Sequence, residues 1–158
     1  MNNTAYELGL KLKQSNLLLA TAESCTGGWV SKLVTDVPGS SAWFDRGFIT
    51  YSNNAKSEML GVDRNIITEF GAVSEQTVLA MTQGALAKSN ADIAIATSGI
   101  AGPDGGSLEK PVGLVCFSWL QSEKFQITES KIFTGDRDQI RLKASYYVLE
   151  NLSALLSG

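Results

Sequence analysis

Residues 17–28 read LLLATAESCTGG, a short apolar run that gives way to small polar residues and ends in two glycines. An apolar run of this length is typical of a strand that is buried on both faces of a sheet. The polar residues and glycines that follow favour a tight turn into a helix, which we predict over 26–36. The stretch therefore predicts a strand, a turn and a helix in succession.

The rest of the chain repeats this alternation of apolar runs and helical patterns. A first helix is predicted over 4–15, and the further strands at 47–52, 93–97, 112–120 and 125–133. The last two strands are expected to pair as an antiparallel hairpin. This order predicts a three-layer α/β/α sandwich with a mixed, mostly parallel sheet of about five strands. At 158 residues, we expect a single domain over 1–158.

Several predicted helices begin at residues that can cap a helix. Asn53 or Asn54 is expected to cap a short helix that carries Lys56, and Ser74 a second helix. Asp136 and Gln139 have the spacing of a capping box at the start of the last helix. The inner face of that helix is predicted to carry Ile140, Ala144, Tyr147, Asn151 and Leu155.

Net charge and cysteine content limit which classes of binding partner and which cellular compartment are expected. The formal net charge is -3, and the 13 Lys and Arg residues form no basic run, which disfavours nucleic acid and anionic membranes as partners. Cys25 and Cys116 form no CxxC pair, which predicts reduced thiols and a cytoplasmic location. The apolar content of 44% leaves surface for a homo-oligomeric interface.

The chain contains no histidine. This excludes Ser-His-Asp and Cys-His catalysis, and it leaves zinc without a recognisable ligand set. We therefore expect no metal and no other cofactor, with a carboxylate-bound magnesium as the alternative left open. A hydrolase without histidine needs Lys, Asp or Glu as its proton acceptor, and a lysine can serve only when its pKa is lowered.

Two predicted strand ends carry residues suited to a site, because ligands of open α/β sheets gather beyond the carboxyl ends of strands. At residues 21–28, a nucleophile would lie next to free backbone N–H groups. The alternative there is that Ser24 or Thr26 only caps the helix. At 97–106, the glycines could let the backbone hold a phosphate or sugar, or the segment could be an ordinary surface loop.

Four ordered motifs resemble the nicotinamide-mononucleotide amidohydrolase family, also called the C-terminal domain family of the competence and damage-inducible protein CinA. The motifs are AESCTGG through YSNNAK (22–56), FGAVSEQTV (70–78), SGIAGPDGGSLEKPVG (98–113) and GDRDQIR (135–141). The resemblance is to the stand-alone form, without the larger N-terminal domain of fused members. It implies hydrolysis of the carboxamide of nicotinamide mononucleotide to nicotinic acid mononucleotide and ammonia, in pyridine nucleotide recycling.

The resemblance also assigns residues to roles. The family is regarded as using Ser-Lys machinery, which by motif position makes Ser24 the nucleophile and Lys56 the base, with Tyr51 as a nearby polar helper. The backbone amides of Cys25 and Thr26 are candidates for the oxyanion hole. Substrate contacts are expected from a further set of residues, of which the arginine would bind the phosphate: Gly27, Ser98, Gly99, Gly102 and Arg137.

Alternatives to these assignments stay open at the level of sequence. Cys25 could be the nucleophile, with Glu23 and Lys56 as its carboxylate and lysine partners. Arg137 could instead form a surface ion pair with Asp136 or Asp138, and Arg141 could take its place at the phosphate. Phe44, Phe48 or Tyr51 could stack on the pyridinium ring. The alternative functions are an amidase for another small amide and a non-catalytic nucleotide-binding or interaction module.

Overall fold

The computed structural model describes residues 3–157 and forms one five-stranded sheet with helices on both faces. The strands are β1 (Leu19–Glu23), β2 (Phe44–Ile49), β3 (Ile93–Gly99), β4 (Leu114–Gln121) and β5 (Phe125–Ile132). The helices are α1 (Asn3–Gln14), α2 (Trp29–Thr35), α3 (Asn53–Leu60), α4 (Arg64–Phe70), α5 (Glu75–Ala87) and α6 (Arg137–Ser157). None of the described helices combines the length and the apolar composition needed to cross a membrane.

The sheet is mixed, in the order β2-β1-β3-β4-β5. Strand β1 pairs in parallel with both β2 and β3, whereas β4 runs antiparallel to β3 and to β5. Four of the five strands therefore point the same way, and the predicted hairpin of β4 and β5 is confirmed. The carboxyl ends of β1, β2 and β3 share one edge of the sheet.

The two faces of the sheet differ in the size of their side chains. One face carries large residues such as Leu19, Ile93 and Trp119, and helices α1, α2 and α6 pack against it. The other face carries the small residues Ala20 and Ala94 on the central strands, and α5 packs against it. Because successive residues of a strand face opposite sides, the fully buried strand β1 contributes to both cores. The predicted three-layer sandwich is confirmed.

Several helix starts agree with the sequence and one does not. Ser74 caps α5 through Thr77 N, and the capping box of Asp136 and Gln139 forms in both directions. The cap of α3 is Ser52, whose hydroxyl accepts a hydrogen bond from Ala55 N. The prediction of Asn53 or Asn54 as the cap was therefore wrong by one or two residues. Helix α4 was not predicted at all.

Other boundaries and one helix face also differ from prediction. Strand β2 begins at Phe44 rather than 47, and α2 begins at Trp29 rather than 26 because residues 24–28 form the turn. On α6, Tyr147 and Asn151 are only half-buried. The buried residues form a wider stripe, because the helix packs against α1 and α2 as well as the sheet: Ile140, Ala144, Ser145, Val148, Leu149, Leu152 and Ser153.

Candidate active site

The edge where β1, β2 and β3 end brings together three separate parts of the sequence. Glu23 lies between Ile49 of β2 and Thr97 of β3 in the sheet register. The ladder continues past the strand ends, since Ser24 N donates to Thr97 O at 3.0 Å and Thr50 N donates to Glu23 O at 2.8 Å. The chain therefore leaves the sheet at neighbouring points after each strand. The two predicted strand ends, at 21–28 and 97–106, lie side by side.

Ser24 and Lys56 meet at this edge. Lys56 lies in the first turn of α3, and its side chain folds back under the strand ends so that the residue is only 1% exposed. Its Nζ lies 3.0 Å from Ser24 Oγ, a hydrogen-bond distance. The pair is separated by 32 positions in sequence and is assembled by the parallel pairing of β1 with β2.

Two backbone carbonyls hold the Lys56 amine. Its Nζ donates to Thr50 O at 2.9 Å and to Tyr51 O at 3.2 Å. An ammonium carries three N–H groups, so the third points at Ser24 Oγ. When the amine is neutral, its two remaining N–H groups can stay on the carbonyls, and its lone pair then faces the serine hydroxyl. The geometry is suited to accepting the Ser24 proton.

Because it is buried, the Lys56 amine can lose its proton near physiological pH. Burial lowers the pKa of Lys56 from 10.5 to about 8, because the charged form loses hydration in the interior. At pH 7 about a tenth of such a group is neutral, against about 0.03% for an ordinary lysine. A buried amine that can be neutral near pH 7 has the property that a proton acceptor needs in a chain without histidine.

Glu23 anchors the turn that carries Ser24. Its carboxylate is 1% exposed and accepts hydrogen bonds from the Thr26 hydroxyl and from backbone N–H groups at the start of α2, including those of Val30 and Ser31 at 2.9 and 3.0 Å. The capping group of α2 is therefore this carboxylate. The alternative that Ser24 or Thr26 merely caps the helix is wrong.

Cys25 does not form the alternative nucleophilic site with Glu23 and Lys56. Burial, and then the nearby Glu23 charge, raise the pKa of the Cys25 thiol to about 12. Neither Glu23 nor Lys56 forms a hydrogen bond with its sulfur, because the carboxylate faces α2 and the amine faces Ser24. A nucleophilic cysteine needs a lowered pKa, so this thiol is in the wrong environment.

A cavity of about 290 Å³ opens above the Ser24 and Lys56 pair. Most of the residues that the sequence assigned to the site line it: Ser24, Cys25, Tyr51, Lys56, Ser98, Gly99, Gly102 and Arg137. Thr26 and Gly27 do not. They lie on the other side of the turn, in a wider and more open cavity of about 630 Å³ that also includes Trp29 and Arg141.

The segment after β3 is shaped by close packing. Gly102 has a φ of +78°, and a Cβ there would lie 2.4 Å from Val112 Cγ1, so both conformation and space require glycine. The Ser98 hydroxyl donates to Ala72 O at 2.8 Å. Its side chain therefore ties the end of β3 to the loop before α5.

Arg137 and Tyr51 stand together at the rim. The guanidinium donates to Gly102 O at 2.7 Å and to the Tyr51 hydroxyl at 3.1 Å, and both residues are exposed. Arg137 forms no ion pair with Asp136 or Asp138, both of which the structure describes, so that alternative is wrong. Of the three aromatic candidates, Tyr51 lines the cavity, while Phe44 and Phe48 pack against the two cores.

Comparison with known proteins shows the family of this chain. A sequence model of the CinA C-terminal domain matches residues 1–156. The chain belongs to the CinA C-terminal domain family. It is 52% identical to the nicotinamide-nucleotide amidohydrolase PncC of Escherichia coli K12, covering 92% of this chain and 88% of that protein. The enzyme of the same name from Pseudomonas putida is 46% identical, with coverages of 96% and 94%.

Solved structures share the fold over almost the whole domain. The competence/damage inducible protein CihA from Agrobacterium tumefaciens superposes with a TM-score of 0.95 at 44% identity, covering 98% of this chain and 94% of that one. A CinA superfamily protein from Klebsiella pneumoniae 700603 gives a TM-score of 0.95 at 34% identity, with coverages of 99% and 97%. The α/β sandwich is therefore the fold of the family.

Seven more residues line the same cavity: Asn53, Ala72, Val73, Ile100, Ala101, Asp104 and Gly105. The last four lie in the segment 97–106 that the sequence indicates as a whole, whereas the first three are not predicted as site residues. Ala72 and Val73 belong to the motif FGAVSEQTV, whose position before a helix gave no chemical signal. Asn53 was considered only as a cap. Their shared feature is proximity to the sheet edge, which depends on how the loops fold back over it.

Proposed function

We propose that this chain is a nicotinamide-nucleotide amidohydrolase that converts nicotinamide mononucleotide to nicotinic acid mononucleotide and ammonia. The single observation that carries the proposal is the Ser24 and Lys56 pair, with 3.0 Å between Oγ and Nζ, at the cavity formed by three strand ends. Relatives that are about half identical over most of their length carry the amidohydrolase name, which supports the choice of substrate.

The reaction follows from the two side chains. Ser24 Oγ attacks the carboxamide carbon while neutral Lys56 accepts the hydroxyl proton. The C–N bond then breaks, Lys56 returns the proton to the departing nitrogen, and ammonia leaves an ester on Ser24. Water attacks this ester with Lys56 again as the proton acceptor. Breakage of the ester bond releases the carboxylic acid, and Ser24 regains its proton from Lys56.

The turn after Ser24 supplies a donor for the developing oxyanion. Among residues 3–157, no other residue accepts a hydrogen bond from the backbone N–H of Cys25 or of Thr26. Cys25 lines the cavity, and its amide is our candidate for the oxyanion hole, whereas Thr26 is fully buried outside the cavity, so its amide does not reach this space. Fixed N–H donors of this kind each contribute about 2.7 to 4 kcal/mol of transition-state stabilisation in other enzymes.

The rim of the cavity provides the groups for holding a nucleotide. Arg137 presents an exposed guanidinium beside Gly102, which suits a phosphate group. Tyr51 is 59% exposed and can stack on the pyridinium ring, in addition to its backbone contact with Lys56. Backbone from Ser98 to Gly102 faces the same space.

We infer further that the protein acts in the cytoplasm as a homo-oligomer. Both cysteines are free and buried, as expected where thiols stay reduced. Large apolar side chains stand exposed on the two edge strands, with Ile49 of β2 at 50% and Ile132 of β5 at 58%. Light scattering after size exclusion tests the oligomer, and a purely monomeric species would contradict it.

The test of function is turnover of nicotinamide mononucleotide without added metal, followed as ammonia and as nicotinic acid mononucleotide. We expect both products in equal amounts. Free nicotinamide serves as the matched substrate, and we expect much slower turnover because it lacks the phosphate for Arg137. Faster turnover of free nicotinamide would reassign the substrate, and binding of the nucleotide without any product would identify a non-catalytic module.

A further inference from the structure

Arg141 holds the turn of Ser24 from the side opposite the cavity. Its Nε donates to Cys25 O at 2.9 Å and one terminal nitrogen donates to Thr26 O at 3.3 Å. The guanidinium lies over the Trp29 ring, 5.5 Å from its centre, and the residue is half-buried. The side chain thus reaches from α6 to two successive carbonyls of the nucleophile turn.

The neighbouring glycine leaves room for this contact. Gly27 has a φ of +58°, and a Cβ placed on it would lie 3.0 Å from the Arg141 guanidinium. A side chain at position 27 would therefore press on the arginine as well as strain the backbone. The turn, the glycine and the cation fit one another as a single packed unit.

The contact fixes the direction of one peptide group. Cys25 O and Thr26 N–H belong to the same planar peptide, which is trans, so they point in opposite directions. With Cys25 O held by Arg141, the Thr26 N–H is directed away from that arginine. It donates to no other described residue. Thr26 is fully buried and does not line the cavity, so this N–H is enclosed in the fold, and the contact with Arg141 acts by fixing the course of the turn itself.

The same contacts fix the residues that precede the held carbonyls in the turn, namely Ser24 and the backbone N–H of Cys25, both of which line the cavity. Hydrogen bonds donated by a charged guanidinium are stronger than neutral ones. Building on the amidohydrolase function proposed above, we propose that Arg141 is a positioning residue that holds the turn in the conformation that places Ser24 Oγ and the Cys25 N–H at the cavity. The arginine touches neither the substrate nor the reacting atoms.

This role differs from phosphate binding. Arg141 does not line the cavity that holds Ser24 and Lys56, and it contacts the turn from the opposite side. Arg137 is the arginine at that cavity. Loss of Arg141 is therefore expected to slow the chemical step, whereas loss of a phosphate ligand would weaken substrate binding.

The test compares Arg141→Met and Arg141→Lys with Lys143→Met, which removes an exposed charge from the same helix, where Lys143 Nζ contacts Thr134 O. We expect Arg141→Met to lower kcat for nicotinamide mononucleotide by about thirtyfold to a hundredfold, with KM within about twofold. Arg141→Lys should recover part of the loss, because an ammonium can bond one of the two carbonyls. Lys143→Met should match the wild type.

A pH profile separates this role from simple damage to the fold. All three variants should keep the inflection of kcat/KM set by Lys56, since the Ser24 and Lys56 contact lies on the other side of the turn. Thermal unfolding gives the folded fraction, and kcat is expressed per folded molecule. If Arg141→Met does not fold, Arg141→Lys is compared with wild type alone. We again expect a lower kcat with little change in KM.

Three results would overturn the proposal: an unchanged kcat per folded molecule, a loss found mainly in KM, or a displaced inflection in the pH profile. Failure of the underlying function is recognised separately with Ser24→Ala. If that variant keeps its turnover, the serine mechanism is wrong and the role of Arg141 falls with it. If Ser24→Ala is inactive while both Arg141 variants act like wild type, only the positioning role is wrong.

Discussion

The turn after β1 and the segment after β3 both form the cavity, but they are built differently. Polar contacts hold the β1 turn from several sides: the Glu23 carboxylate, the Arg141 guanidinium and the Lys56 amine. Steric packing shapes the β3 segment, where Gly102 lies against Val112. The proposed nucleophile thus lies on a turn fixed by charged groups, whereas the other side of the cavity depends on glycine for its shape.

The difference teaches where each kind of substitution should act. Breaking a charged contact at the β1 turn should lower kcat, because it changes the position or protonation of reacting groups. Adding a methyl group in the β3 segment should raise KM, because it alters the shape of the cavity. The predictions below compare these two effects, beginning with the one expected to be largest.

Replacing the nucleophile should remove nearly all activity. We expect Ser24→Ala to lower kcat by about ten-thousandfold or more, because the acyl intermediate can no longer form. Cys25→Ala is the matched control on the adjacent residue and should keep activity within about threefold. Ammonia release measures both. An active Ser24→Ala together with an inactive Cys25→Ala would transfer the nucleophile to the cysteine.

The base should give the reaction its pH dependence. The pKa of Lys56 is about 8, and only the neutral amine accepts a proton, so kcat/KM should fall tenfold per pH unit below pH 8 and level off above it. Lys56→Arg keeps the charge and removes the acceptor, and we expect a loss of about a thousandfold. A wild-type profile that is flat from pH 6 to 9 would contradict Lys56 as base.

The same buried amine should make the stability of the protein depend on pH. The unfolded chain binds a proton at Lys56 up to pH 10.5, whereas the folded chain releases it near pH 8. The free energy of unfolding contributed by this residue therefore rises between pH 8 and 10.5. Lys56→Met should lose this rise, and it should be no less stable than wild type at pH 7. Denaturant titration across this pH range measures both chains.

The Glu23 anchor should affect both folding and rate. In Glu23→Gln, one oxygen becomes an NH2 group that faces backbone N–H donors, which cannot turn round to accept. We expect about 2 to 4 kcal/mol of lost stability and a kcat lower by about tenfold to a hundredfold, measured on the remaining folded protein. A KM effect without a kcat effect would separate Glu23 from the positioning of Ser24.

Glu75→Gln is the control for that change. The Glu75 carboxylate accepts from the hydroxyls of Thr128 and Ser130, which can rotate and accept from an amide instead. We expect a stability loss of less than about 1 kcal/mol and an unchanged kcat. Equal losses at Glu23 and Glu75 would mean that the backbone donors of α2 have no special importance.

The smallest effect is expected in the β3 segment. Gly102→Ala adds a Cβ 2.4 Å from Val112 Cγ1, so we expect the loop to shift and KM to rise by about tenfold with little change in kcat. Gly105→Ala has similar backbone strain, with a φ of +94°, but its nearest neighbour is 3.8 Å away. A larger KM effect at Gly105 than at Gly102 would show that strain, not packing, controls this segment.

Much of the fold could be predicted from the sequence because it depends on local patterns. Apolar runs located β1, β3 and β4, and turn signals and the hairpin spacing located β2 and β5. Ser74, Asp136 and Gln139 located two helix starts through their own local hydrogen bonds. Helix α4 was missed because it is seven residues long and has no buried residue, so it shows no apolar periodicity. The cap of α3 was misplaced because Ser52, Asn53 and Asn54 are all good capping residues.

The candidate site also has features that the sequence predicts and features that depend on the tertiary structure. Sequence alone determined that any base must be something other than histidine, and the motifs singled out Ser24, Lys56 and the glycines. The tertiary structure decided that Glu23 turns to the start of α2, that Cys25 stays a buried thiol, and that Arg141 holds the turn instead of the rim. The physical reason is that composition fixes which groups exist, whereas protonation and reach depend on burial and on contacts between residues far apart in the chain.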